Sequence, residues 1–297
     1  MSYVKDLYRD EIRDGWLVMS DIKKVWNRQL EIWAEVDRIC RKHNITYWAD
    51  YGTLLGAARH KGFIPWDDDI DLCMMRPDFN RFMSVLKDEL AGSAFEIKEN
   101  FLSLVQICHS LTTKIDDTYF DGRPQGISLA IFALDSVNDG TPEGFAAYNA
   151  LREIFIAIYD FSQIERHLQN GGYLFNDLDF LKTVAEIPDT DEAIKFFWIY
   201  AEQLFGQSTA IASFEDMLTS IGKPFGKNCF DETIYLPFET IKLPVPKNYD
   251  EVLTSEYGDW RTPVNDGKQH LGLVHSADIP WREFLDCVDI QKLLSKK

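Results

Sequence analysis

From Ser20 to His43 the apolar residues Ile22, Val25, Trp26, Leu30, Trp33, Val36, Ile39 and Cys40 recur every three or four positions. That period predicts an amphipathic helix with Ser20 as its N-cap and a stop at Asn44. Aromatic and β-branched residues then predict a short strand over Ile45 to Ala49, followed by a turn at Asp50 to Gly52 and a helix from Thr53 to His60. Gly62 and Pro65 end that helix. Through the next stretch, a strand over Asp68 to Met75, the pattern becomes strict alternation. Asp67, Asp69, Asp71 and Cys73 share one face, and Ile70, Leu72 and Met74 share the other. Pro77 to Leu90 returns to helical spacing, with Phe79, Phe82, Met83, Leu86 and Leu90 inward. Strands are expected at Ala94 to Lys98, Leu102 to Cys108 and Leu111 to Ile115. After a loop at Asp121 to Gly126 comes an apolar strand from Ile127 to Leu134.

Strands interleaved with covering helices predict an α/β (α+β) core over residues 1–140. Beyond Asp139 the pattern becomes mainly helical, over Pro142 to Asn170 and Asp189 to Phe205, with a turn at Asn170 to Gly172. Thr233 to Pro246 holds short extended pieces, Tyr249 to Tyr257 a helix closed by Gly258, and the tail is loop-rich. Residues 141–297 are therefore expected as a mainly helical extension with a C-terminal tail.

Composition narrows the partners. With 45% hydrophobic and 13% aromatic residues, the 297-residue chain has ample material for a core. Its net charge of −17 opposes binding to nucleic acid or to an anionic membrane, so an anionic substrate needs a local cationic site or a metal ion. The five cysteines are scattered without a CxxC pair, which reads as reduced thiols in the cytoplasm. The opening MSYVKDLYRDEIRD lacks an apolar signal core, and no apolar run approaches the ~18 residues a membrane span requires. A cytoplasmic location is expected, with Lys292, Lys296 and Lys297 offering at most a peripheral membrane contact.

Chemistry concentrates between Tyr47 and Arg76. Asp69 and Asp71, two apart on one strand face, can converge on one or two divalent cations. The alternative, a solvated acidic loop, fits poorly with the apolar residues that alternate with the acids. Gly52-Thr53 at a helix start brings unpaired N–H groups and a hydroxyl to where a phosphate would sit. Either feature alone is a weak signal, but together they point to a metal-bridged phosphate.

The string GTLLGAARHKGFIPWDDDIDL, Gly52 to Leu72, resembles the signature of the LicD family, which includes bacterial phosphocholine transferases and fukutin-related proteins within the nucleotidyltransferase superfamily. Tyr257 to Trp260, YGDW, resembles a further short motif of that family. The close match runs from Tyr47 to Arg76, with looser similarity from Ile45 to Asp135. The resemblance implies a nucleotidyltransferase-like mixed sheet with covering helices. It also implies transfer of a substituted phosphate, phosphocholine foremost, from a CDP-linked donor such as CDP-choline to a sugar hydroxyl of a lipopolysaccharide, teichoic acid or precursor glycan. By the same resemblance Asp69 and Asp71 bind Mg²⁺ or Mn²⁺, and Gly52 and Thr53 hold the donor phosphates. Arg59 neutralises the diphosphate or steadies the loop, and Lys61 adds a phosphate contact. Asp67 and Asp68 are expected to shape the loop around the pair. Trp66, Trp48 and Tyr51 either wall the nucleotide base or choline, or pack in the core.

One departure stands out. Where the family often has Asp-Ile-Phe-Pro-Leu-Asp, this chain reads Ala130 to Asp135, AIFALD, so a third carboxylate is missing. Asp116, Asp117 and Asp135 are the substitutes to weigh, although strand alternation puts Asp135 on the face opposite position 130. Two rival outcomes follow on the same fold: nucleotidyl transfer to a small molecule, and a catalytically weakened nucleotide-binding protein. Elsewhere, His270, His275 and Cys287 match no metal-ligand spacing, His60 is either a phosphate contact or an ordinary loop residue, and Cys73 reads as core.

Overall fold

The computed structural model describes residues 2–116, 122–169, 177–218, 224–264 and 272–295. Asp117, His270, Lys296 and Lys297 lie outside the described residues. A hairpin of β1 (Glu11–Arg13) and β2 (Trp16–Val18) leads into α1 (Ser20–His43). This helix spans the range its period predicts and buries Trp26, Leu30, Ile32, Val36 and Ile39. Asn44 closes it in the left-handed conformation, φ 54°. Its start differs from expectation, because Met19 occupies the N-cap position and the Ser20 N–H donates to Asp10 Oδ1 at 2.7 Å. A carboxylate from the preceding turn thus does what the Ser20 hydroxyl was expected to do.

The next elements are β3 (Trp48–Ala49), α2 (Tyr51–Arg59), β4 (Asp71–Met75), α3 (Arg76–Leu90), β5 (Phe95–Asn100), β6 (Leu104–His109), β7 (Thr113–Ile115) and β8 (Ser128–Ser136). Both β3 and β4 are shorter than the alternation suggests. Asp68 to Ile70 alternate in burial but precede the strand, which begins at Asp71 opposite Ala130 and pairs with β3 from Leu72. The second half adds α4 (Pro142–Gln169), α5 (Leu178–Ala185), α6 (Thr190–Leu204), β9 (Ala210–Ser213), α7 (Phe214–Leu218), β10 (Phe225–Gly226), β11 (Thr233–Phe238), β12 (Ile241–Pro246), α8 (Tyr249–Tyr257), β13 (Val274–Ser276), α9 (Trp281–Cys287) and α10 (Ile290–Leu294). Asp160 interrupts α4 with non-helical dihedrals.

The fold is a mixed α+β arrangement organised around β8. One edge of β8 pairs in parallel with β4, from Asp71–Ala130 to Met75–Leu134. Its other edge is shared, the first part taken antiparallel by β6 and the last part by β9. Strands from both sides of residue 140 therefore belong to one sheet. The face carrying Leu72, Met74, Ile131, Ala133, Val105 and Ile107 is fully buried, and α1 and α3 pack on these strands. On the opposite face Asp71, Ala130, Phe132, Gln106 and Leu104 are each only partly buried. Burial on one face, through the period-two pattern, fixes which way Asp71, the acid of β4, points.

Candidate active site

The acidic loop is held from beneath by α1. The Trp26 indole donates to the Asp67 carbonyl at 2.8 Å, and the Gln29 amide donates to the carbonyls of Asp68 at 2.9 Å and Ser128 at 3.2 Å. Trp26 also stacks on Phe63, with ring centroids 4.7 Å apart. Helix α2 is tied to the same region, because the buried Thr53 hydroxyl accepts the Asp71 N–H at 2.9 Å. These contacts leave the acids little freedom, as a site that acts on a small ligand requires.

The result is a cleft of roughly 650 Å³ lined by Tyr51, Gly52, Arg59, Trp66, Asp67, Asp69, Asp71, Tyr257, Asp259 and Trp260 among others. Its size suits a small ligand. Of the residues singled out from the sequence, Asp69, Asp71, Gly52, Arg59 and Trp66 meet here. Thr53 lies behind the wall and serves the tie just described. Lys61, in the left-handed region at φ 57°, is outside the lining, and its carbonyl accepts the Glu239 N–H at 2.9 Å. Trp48 is core, its indole donating to Thr233 Oγ1.

Each wall has a local cause. Gly52 lies against the Asp67 carboxylate, and a methyl group at this position would collide with Asp67 Oδ2. A side chain at this position would push the Asp67 carboxylate out of its place. Tyr51 opens α2 at φ 41°, a conformation that costs a non-glycine residue about 1–2 kcal/mol. That geometry sets its ring edge-on to Phe132, centroids 5.2 Å apart. Arg59 is aimed by two bonds, donating from Nε to His60 Nε2 at 2.9 Å and from a terminal nitrogen to the Trp260 carbonyl at 2.8 Å. His60 in turn contacts Asp14 through Nδ1 at 2.6 Å, and burial holds its pKa below the ordinary value. The Trp66 ring packs 4.8 Å from Trp16.

Electrostatics mark the acids as unusual. Burial first, then the Asp69 charge, pushes the Asp67 carboxyl up to about 8. Burial, then Asp69, Asp67 and Asp50, raises Asp71 well above the carboxylate range, with Lys114 pulling it down. One oxygen each from Asp67, Asp68 and Asp69 also lie within 4.8 Å of one another. These three, a group that does not include Asp71, are hard oxygen donors close enough together to suit a divalent cation such as Mg²⁺. Asp67 thus faces the cleft directly, a more prominent place than shaping the loop.

The YGDW motif arrives from far along the chain. Helix α8 packs on α2, which brings Tyr257, Asp259 and Trp260 to the cleft mouth. The Tyr257 phenol is raised by burial and by the nearby Glu256, Asp50, Asp71 and Asp67 charges. The sequence signal for these residues was the motif alone, since nothing in its local pattern places it beside Asp71.

The substitutes for the third carboxylate resolve differently. Ala130 pairs directly with Asp71, so a methyl group occupies the neighbouring position. Asp135 is fully buried and engaged by Arg76 through two 2.6 Å bonds. Asp116 is bridged by Lys98 at 2.7 Å. In the tail, His275 pairs with Lys114 between β13 and β7, and Cys287 is exposed. All five cysteines are free thiols. Among the described residues no helix is long and apolar enough to cross a membrane.

Comparison with known proteins gives consistent matches. Residues 44–119 match the family model described as LicD/FKTN/FKRP, nucleotidyltransferase domain. The lipopolysaccharide cholinephosphotransferase LicD of Haemophilus influenzae is 25% identical over 250 residues, which covers 78% of this chain and 89% of that protein. An uncharacterized protein of Rickettsia typhi is 36% identical over 75 residues, 25% of this chain and 24% of its own. One from Rickettsia prowazekii is 41% identical over 56 residues, 19% and 21% respectively.

Proposed function

Residues 44–119 are a LicD-family domain, and from that premise we propose that the chain transfers phosphocholine from CDP-choline to a sugar hydroxyl of a cell-surface glycan or its precursor. The observation that carries this reading is the convergence of Asp69 and Asp71 with Gly52, Arg59 and the aromatic residues Trp66, Tyr257 and Trp260 on one cleft. The similarity to a lipopolysaccharide cholinephosphotransferase supports the choice of group. The five free thiols are in keeping with a cytoplasmic setting, which belongs to the proposal.

In this reading Asp69 and Asp71, with Asp67 beside them, hold Mg²⁺ or Mn²⁺. When bound there, the ion would neutralise charge on the donor's diphosphate. Arg59, oriented by His60 and Trp260, adds a fixed positive charge on the same side, and Gly52 leaves the start of α2 accessible to phosphate oxygens. Trp66 and Trp260 offer aromatic faces to the base or to the trimethylammonium group. The acceptor oxygen bonds to the distal phosphorus as the bridging P–O bond to CMP breaks, and the hydroxyl proton is released to solvent.

Titration calorimetry of CDP-choline with and without Mg²⁺, on wild type and on Asp69→Ala with Asp71→Ala, tests the reading together with a CMP-release assay. Mg²⁺-dependent binding lost in the double variant, with CMP released by wild type, is the expected result. Absence of binding by wild type rejects CDP-choline as donor. Ala130 beside Asp71 favours a second reading, a binding protein with weakened turnover. Tight Mg²⁺-dependent binding without CMP release would select it, and a nucleotidylated product would select nucleotidyl transfer.

A further inference from the structure

The missing carboxylate leaves more than a gap in an alignment of acids. Across three strands, Gln106 of β6, Ala130 of β8 and Asp71 of β4 are paired in register, so their side chains stand in one row on one face. Strands lie about 4.8 Å apart, which puts Gln106 about 10 Å from Asp71 with Ala130 between them in the row, and Lys114 is near enough to Asp71 to pull its carboxyl down. In the next row Leu104 and Phe132 are paired, and the edge-on Tyr51 ring meets Phe132. All of Gln106, Ala130, Phe132 and Leu104 are partly exposed, whereas Val105, Ile107, Ile131 and Ala133 on the opposite face are buried. The sheet therefore presents a notch floored by Ala130, with an amide at one end, a carboxylate at the other and an aromatic ring alongside.

This notch is continuous with the cleft yet separate from it. Tyr51 and Asp71 line the cleft, while Gln106, Ala130 and Phe132 do not. Asp71 stands between the two: β3 pairs with one edge of β4 and β8, with the notch, pairs with the other, while Tyr51 at the start of α2 reaches Phe132. In-line displacement requires the attacking oxygen to approach opposite the leaving group. If the nucleotide half of the donor occupies the Gly52 and Arg59 side, the acceptor comes over β8.

We propose that the Gln106–Ala130–Phe132 notch is the subsite for the acceptor sugar, a neutral pyranose whose hydroxyl is positioned beside Asp71 by the Gln106 amide. The inference rests on the proposed transfer reaction and deepens it. The chemistry suits this ligand class: an amide both donates to and accepts from hydroxyl groups, and Phe132 offers an apolar face to the ring. In this chain Ala130 leaves space beside Asp71 that a longer side chain would fill.

The test uses the full-length protein labelled with ¹³C at alanine methyl groups, with Mg²⁺ and CMP present. Methyl β-D-galactopyranoside, methyl β-D-glucopyranoside and the methyl glycoside of N-acetylglucosamine are titrated into the tens of millimolar, and the Ala130 methyl resonance is followed. At least one sugar is expected to shift it saturably. Gln106→Ala should weaken that sugar about fivefold, the loss of one hydrogen bond. Ala130→Leu should abolish its saturation-transfer signal while CDP-choline affinity stays within about twofold of wild type. An Ala130 resonance unmoved by every sugar, or a Gln106→Ala variant that binds as wild type does, overturns the assignment. If CDP-choline does not bind while the sugar still shifts Ala130, the donor reading falls and the sugar subsite stands.

Discussion

Asp135 and Asp71 stand on opposite faces of one sheet, Asp71 with Asp67 and Asp69 in the loop before it, and the two sides have opposite electrostatic surroundings. On the buried face Asp135 receives two bonds from the Arg76 guanidinium at 2.6 Å each and one from the Ser103 hydroxyl at 3.0 Å. Arg76 also donates to the Leu102 carbonyl and lies over the rings of Phe79 and Phe197, and both charged side chains are 0% exposed. On the cleft face Asp67, Asp69 and Asp71 crowd one another, and like charge raises Asp67 and Asp71 after burial. A carboxylate supplied with its own cation serves the fold. Buried carboxylates that raise one another's pKa cost stability, and a cation from outside would relieve that cost.

The largest expected effect concerns the paired group. Asp135→Ala strands a buried guanidinium and should cost about 3–5 kcal/mol, read as a fall in the urea midpoint with the slope unchanged. Tolerance of that change would erase the contrast between the two faces. Next comes the cation itself. Mg²⁺ at a hundredfold over its Kd should stabilise the wild type by about 2.7 kcal/mol, seen as a rise in Tm that Asp69→Ala with Asp71→Ala abolishes.

A further effect is expected from pH in the metal-free protein. The Asp67 carboxyl holds its proton in the fold up to about 8, far above the value of about 3.9 in an unfolded chain. Its contribution is fully present below the unfolded value and disappears as pH rises through about 8, because the folded state binds the extra proton. Thermal melts in EDTA should therefore fall across that window, and Asp67→Asn should flatten the slope. A slope unchanged by the substitution would detach Asp67 from the acidic group. Smallest is the tie beneath the cleft. Thr53→Val leaves the Asp71 N–H without its acceptor and should cost about 1–2 kcal/mol by denaturant unfolding. A neutral result would mean that α2 and β4 are positioned by their apolar contacts alone.

Much of this molecule was legible in its pattern. The three-and-four spacing from Ile22 to Cys40 has one physical solution, and α1 occupies the expected Ser20–His43; Tyr249–Tyr257 is equally faithful, closed by Gly258. Alternation likewise predicted that Asp67, Asp69 and Asp71 share a side, and all three line the cleft. Local pattern was less reliable at boundaries. The strand around Trp48 shrank to two residues because only Trp48 and Ala49 find partners on β4. Helix α5 was not anticipated, and Thr53 faces the Asp71 backbone instead of the cleft.

Sequence alone determined the helical and strand periods, the acidic face and the absence of a carboxylate at position 130, since each depends on residues near one another in the chain. Tertiary structure alone decided that Ala130 stands beside Asp71, that Gln106 completes their row, and that Tyr257 and Trp260 reach the cleft from α8 and its end. It also decided that Asp135 is paired with Arg76, which leaves it as part of the frame. The reason is range: side-chain periodicity follows from backbone geometry within a few residues, whereas lateral register between strands and the docking of distant helices are settled by burying many apolar surfaces together.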